Sequence, residues 1–164
     1  MDFTIRKATS SDMPGVLTLI KQLAEFEKEP NAVEVTVKDL EKDGFGKNPS
    51  FFCYVAEVNS KVEGIALGYN RYSTWKGKAI HLEDLIVNKS FRGTGIGTAL
   101  LNEIIKHGYK LGVKRINWEV LDWNEPAINF YESKGARVMR DWDVVQMNEE
   151  SIKNYIAKLD NASL

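Results

Sequence analysis

The stretch Phe91 to Thr98 reads Phe-Arg-Gly-Thr-Gly-Ile-Gly-Thr, with glycines alternating at 93, 95 and 97. An apolar run, His81 to Val87, precedes it, and an amphipathic run, Ala99 to Lys106, follows it. Strand, glycine loop and helix in that order aim backbone N–H groups at an anion. The helix start carries unpaired donors and about half a positive charge. Glycine lets a ligand approach the backbone closely. The spacing excludes two common phosphate grips. A triphosphate loop needs lysine after its last glycine, and Gly97 is followed by Thr98. A dinucleotide fingerprint needs Gly-x-Gly-x-x-Gly, and here the pattern is Gly-x-Gly-x-Gly. A phosphate-bearing ligand is one reading. A plain strand-to-helix turn is the other, although glycines at a helix start lower its stability without some compensating role.

Two acids, Glu83 and Asp84, stand side by side in the apolar run. Burying them is costly unless each has a partner. Strand alternation predicts Glu83 on the face of His81 and Leu85, with Asp84 on the other. A cationic ligand, a structural salt bridge and an exposed strand end are all consistent with that pair. Glu25, Glu27 and Glu29 make a second acidic group, either a solvated face or the lining of a cation site. His81 is a base by type, but a histidine in a strand is more often structural. His107 reads as a surface residue. Cys53 is the one cysteine, which rules out an intramolecular disulfide and a cysteine-based zinc site. Its apolar strand argues against a nucleophilic role, and no metal is expected.

The elements that must position these residues follow from periodicity. Phe3 to Lys7 alternates as a short strand. Met13, Val16, Leu17, Ile20, Leu23 and Ala24 recur at helical spacing, predicting a helix to about Glu29, with Pro14 in its first turn. A second helix is expected from Thr36 to Asp43, stopped by Gly44. Phe51–Val58 and Val62–Tyr72 read as a hairpin about Asn59-Ser60. Ala79–Val87 reads as a central strand. After the glycine loop, Ile96, Leu100, Leu101, Ile104, Ile105 and Leu111 predict a buried helical stripe ended by Gly112. Arg115–Leu121 reads as a strand, Asn124–Lys134 as a helix, Val138–Met147 as a last strand, and Asn148–Leu159 as a final helix. The order predicts one mixed α/β domain over residues 1–164, its central sheet covered on both faces.

At 164 residues the chain can bury one real core. Its net charge of −1 gives no reason to expect nucleic acid or an anionic membrane surface as partner. No apolar run approaches a membrane span. A lone cysteine fits a reducing, cytoplasmic setting, and the N-terminus has no signal-peptide architecture.

Arg92, Gly95 and Gly97 spell Arg-x-x-Gly-x-Gly, which resembles the pyrophosphate-binding motif of the GNAT superfamily of acetyl-CoA-dependent N-acetyltransferases. Five further blocks carry the resemblance along nearly the whole chain: Ile5–Lys28, Asp43–Pro49, Tyr72–Lys78, His81–Val87 and Trp123–Tyr131. They are similar to the diamine and polyamine (spermidine/spermine) acetyltransferases and to their relatives, the thialysine acetyltransferases. Ser73-Thr74 stands before Trp75 where polyamine-type enzymes tend to carry Asp-Pro. Ala136–Trp142 is shorter than in those enzymes and lacks their paired acids. The Ser-Thr form resembles the thialysine branch, and fewer acids mean a weaker hold on a long polycation.

The resemblance implies a GNAT fold, acetyl-CoA as cosubstrate, a small primary amine as acceptor, and a homodimer. It implies that the backbone of Leu85, Ile86 and Val87 faces the pantetheine and thioester. Arg92, Gly93, Thr94, Gly95, Ile96, Gly97 and Thr98 would hold the pyrophosphate. Asn124, Glu125, Pro126 and Ala127 would lie along the CoA with Tyr131. Tyr131 matches the family's catalytic tyrosine and Glu83 its substrate-side acid. Phe26, Glu27 and Asp84 match positions near the amine. The chemistry agrees in kind: an amine of pKa near 10.4 must lose a proton before attack, and Glu83 can take it directly or through water. A phenol protonated at neutral pH can supply one to a departing thiolate. A peptide amine acetyltransferase and a non-catalytic acyl-CoA-binding module are the rival readings.

Overall fold

The computed structural model describes residues 2–162, which form two compact units that divide between Leu121 and Asp122. The first holds a five-stranded sheet in the order β1-β2-β3-β4-β5. Its strands are β1 (Thr4–Lys7), β2 (Phe52–Val58), β3 (Lys61–Ser73), β4 (Gly77–Val87) and β5 (Ile116–Asn117). The first four pair antiparallel in sequence order, and β5 joins β4 in parallel. Asn59 and Ser60 turn the β2–β3 hairpin with φ of 48° and 61°. Two left-handed residues give the primed turn whose twist matches paired strands.

Helices α1 (Met13–Phe26) and α2 (Val37–Phe45) cover one face. Met13, Val16 and Leu19 pack there with Leu40, Cys53, Val55, Ile65, Leu67 and Ile86. Helix α3 (Ile96–Lys110) covers the other through Ile96, Leu100, Leu101 and Ile104. Gly64 permits its approach, since a Cβ there would lie 3.0 Å from Ile96 and 3.1 Å from Leu100. The start of α1 is pinned to the sheet. Asp12 accepts from both terminal nitrogens of Arg6, at 2.7 and 2.8 Å, and from the backbone N–H of Thr9 at 2.7 Å. Arg6 also donates to Glu57 of β2 at 2.7 Å. Charge-assisted bonds of this kind are the strong ones.

The second unit holds α4 (Glu125–Ser133) and α5 (Glu149–Ala162). Asn124 caps α4 by accepting from the N–H of Ala127 at 3.3 Å, and Asn148 caps α5 by accepting from that of Ser151 at 2.8 Å. Among the described residues no helix is long and apolar enough to cross a membrane.

Several expectations are corrected. Val138–Met147 forms no strand, and Val144, Val145 and Met147 are exposed. Apolar content had predicted a strand, but a strand also needs a ladder partner. The strand expected over Arg115–Leu121 shrinks to two residues, because its pairing with β4 stops at His81–Asn117. Helix α1 ends at Phe26 rather than near Glu29. Gly44 lies inside α2 and does not stop it: a Cβ there would meet the Phe51 ring at 2.5 Å, so close packing explains the glycine. Ile105 and Leu111 are exposed, and the buried stripe of α3 turns through Gly108 instead. His107 is not a plain surface residue. Its ring stacks on Phe52 with centroids 4.1 Å apart, and its Nδ1 lies 3.1 Å from the Tyr54 hydroxyl.

Candidate active site

The site of the first unit is built around β4. From Leu82 to Val87 the edge of β4 turned away from β3 has no strand partner among the described residues. Leu85, Ile86 and Val87, each paired to β3 on its other side, lie on this edge beyond the last residue paired to β5. Unpaired backbone donors on a rigid strand suit an oxygen that gains negative charge.

The ladder between β3 and β4 shifts register at Leu67/Gly68: Leu67 faces Asp84, and Gly68 faces Leu82. Glu83 is the extra residue of a β-bulge. An extra residue resets the period-two alternation. Asp84 therefore joins the face of Leu67 and Ile86, under α1, while Leu85 pairs with Ala66 on the α3 face. His81, opposite Tyr69, shares the face of Asp84, and its Nε2 lies 3.5 Å from Glu83 Oε2. The expected grouping of His81 with Leu85, on the face opposite Asp84, is thus overturned, while Glu83 lies beside His81 as expected. Two adjacent acids in an apolar strand were the available signal for the bulge.

Burial pushes the Asp84 carboxyl up to about 6, with the negative charges of Glu83 and Glu27 adding to it. Burial also raises the Glu27 carboxyl, just past the end of α1. Three carboxylates so arranged form a patch of negative potential that a cation would relieve. Phe26 ties this patch to the glycine loop, because the Arg92 guanidinium lies 5.5 Å from the Phe26 ring centroid.

In the loop, Arg92 Nε donates to the carbonyl of Val87 at 3.1 Å, fastening the loop to the end of β4. The Thr94 hydroxyl donates to the Phe91 carbonyl at 2.6 Å. Gly93 has φ of 77° and Gly95, which caps α3, has φ of 92°. A Cβ at either would meet nothing within 4 Å. The glycines are therefore required by backbone conformation, and they leave open space before the α3 N-terminus, where Ile96, Gly97 and Thr98 follow. An anionic pyrophosphate fits such a cradle.

In the second unit, Asn124 to Ala127 form the start of α4, and Tyr131 lies one turn beyond Ala127. Tyr131 is buried, and burial pushes its phenol up to about 12, so it keeps its proton across the neutral range. Burial likewise pushes the Cys53 thiol up to about 12, which removes the thiolate a covalent route needs. Sequence reasoning overlooked Tyr69 and Asn117, both of which hold His81. Only strand pairing reveals them.

The sequence pattern of the acetyltransferase (GNAT) family matches residues 17–136, across both units. A mouse thialysine N-epsilon-acetyltransferase is 40% identical over 141 residues, covering 81% of this chain and 83% of its own. A human spermidine/spermine N(1)-acetyltransferase-like protein 1 is 36% identical over 160 residues, covering 92% of this chain; the chain spans only 23% of that longer protein. Among solved structures, a Vibrio cholerae integron cassette protein shares the fold with TM-score 0.77 at 22% identity, over 96% of this chain and 99% of the other.

Proposed function

The chain belongs to the GNAT acetyltransferase family, and from that premise we propose that it acetylates a primary amine of a small diamine, polyamine or lysine-like compound such as thialysine. The observation that carries this reading is the carboxylate patch of Glu27, Glu83 and Asp84 beside the open edge of β4. The names of the thialysine and spermidine/spermine relatives support the same class of acceptor. Ser73-Thr74 before Trp75 favours the smaller amines within it.

Acetyl-CoA is the family's cosubstrate, and its thioester carbonyl is what the amine attacks directly. The chain's own residues have separate tasks. Gly93 to Thr98 bind the pyrophosphate with Arg92, and Asn124 to Ala127 line the path of the CoA. Backbone N–H groups of Leu85 to Val87 stabilise charge on the carbonyl oxygen. Phe26, Glu27 and Asp84 hold the cationic acceptor, and Glu83 removes a proton from its amine, directly or through water. Tyr131 supplies a proton to the departing sulfur. The family match over residues 17–136 takes in residues of both units. A cytoplasmic setting belongs to the same reading.

Thiol release from acetyl-CoA across diamines, polyamines, lysine analogues and peptides tests it. Turnover of thialysine or short diamines above spermine, with peptides inert, is expected. Spermine or spermidine far ahead of thialysine would sink the small-amine assignment. Tyr131→Phe should lower turnover by about a hundredfold or more while binding of acetyl-CoA survives. Unchanged turnover would remove Tyr131 from the mechanism.

A further inference from the structure

We infer that His81 is a positioning residue that aims Glu83, with its ring locked by Asn117 in the tautomer that carries its proton on Nε2. The inference rests on the reading of Glu83 as the group that takes the amine's proton.

Three contacts define the arrangement. Asn117 Nδ2 lies 2.9 Å from His81 Nδ1. An amide nitrogen can only donate, so Nδ1 accepts and the ring proton sits on Nε2. The Tyr69 ring stacks on the imidazole with centroids 5.0 Å apart and an interplanar angle of 27°. Nε2 lies 3.5 Å from Glu83 Oε2. His81 itself is buried, with 7% of its surface exposed, so the ring cannot swing to another partner.

The topology explains why Glu83 needs such an anchor. It is the bulge residue of β4, so its backbone lacks a ladder partner opposite it in β3. Its side chain is half exposed, at 53%. A general base must sit within hydrogen-bond reach of the proton it takes, and a free carboxylate on a bulge samples many rotamers. A fixed N–H donor on the same sheet face selects among them. At 3.5 Å the contact is longer than a formed hydrogen bond. Catalytic hydrogen bonds characteristically tighten when substrate arrives. Asn117 occupies the last paired position of β5, and His81 the last position of β4 that pairs with it. The end of the β4–β5 ladder therefore carries the device that orients the base.

Glu83→Gln, His81→Phe and His81→Gln separate the possibilities. Glu83→Gln should abolish turnover. His81→Phe should lower kcat about tenfold, the size expected for losing one hydrogen bond to a charged group, with KM for acetyl-CoA unchanged. His81→Gln, whose amide nitrogen can stand where Nε2 stood, should restore most of that loss. If Glu83→Gln keeps its turnover, the base reading fails and this inference falls with it. If Glu83→Gln is inactive but His81→Phe turns over like the parent, Glu83 is the base and His81 does not position it. Should His81→Gln be as slow as His81→Phe, packing and not donation would be at work, and the inference is overturned. Long-range proton–nitrogen NMR of the unaltered protein gives a readout independent of activity. An unprotonated Nδ1 with a protonated Nε2 is expected, and the opposite tautomer overturns the inference.

Discussion

At the scale of single residues, Asp84 shows how site chemistry opposes stability. Its carboxyl is pushed up to about 6 by burial first, then by Glu83 and Glu27. An unfolded aspartate releases its proton near 4. Between those values the folded chain holds a proton that the unfolded chain has lost. Stability therefore falls as pH climbs through that window, and above it the full cost is present, on the order of 2 kcal/mol. Asp84→Asn keeps the shape and removes the charge. It should raise the melting temperature at about pH 8, raise it much less at about pH 4, and weaken the amine's KM. Thermal unfolding at both pH values, with kinetics, checks this. Equal melting temperatures for variant and parent at the higher pH would mean Asp84 is not strained in the free protein. The sequence announced these acids by type and position. Their adjacency hinted at the bulge, but the face Asp84 takes follows from register with β3 and could not be read from β4 alone.

At the scale of elements, most of the helices and the hairpin were legible, since periodicity and caps are local. Thr36, Asn124 and Asn148 each cap the helix they precede. What was not legible depended on partners. Val138–Met147 had strand composition without a strand to pair with, and β5 lost most of its expected length for the same reason. The glycine loop is the opposite case, because its conformation is written into its glycines. Gly95 has φ of 92° at the start of α3, with no neighbouring atom within 4 Å of a would-be Cβ. Gly95→Val therefore meets backbone strain and not a clash, at roughly 1–2 kcal/mol for a left-handed non-glycine residue. The protein should still fold, with a lowered melting temperature, while calorimetry should show CoA affinity reduced by at least tenfold as the cradle closes over. Undiminished affinity in a folded Gly95→Val would place the pyrophosphate elsewhere.

At the scale of the whole molecule, charge would decide how the proposed amine acceptor arrives. The net charge is −1, with 22 basic residues set against 23 acidic ones, so no broad field draws a polycation from a distance. The attraction left is the local patch of Glu27, Glu83 and Asp84, backed by Asp84's burial. The dimer implied by the family resemblance remains our proposal, and light scattering at working concentration should give twice the 18.6 kDa of one chain. A monomer mass refutes it. Local attraction has a kinetic consequence that separates it from long-range steering. Steered association falls steeply with salt, because the Debye length shrinks to about 10 Å by 0.1 M. Contact within a partly buried patch is screened far less. Turnover of a short diamine, measured as kcat/KM between about 50 and about 200 mM salt, should fall by no more than a few-fold. Spermine should gain little over the diamine at the low end, since its extra charges find no extended acidic surface to meet. A tenfold or larger fall with salt, or a spermine advantage that grows as salt is lowered, would mean the acceptor is held by a wider acidic surface than these three carboxylates.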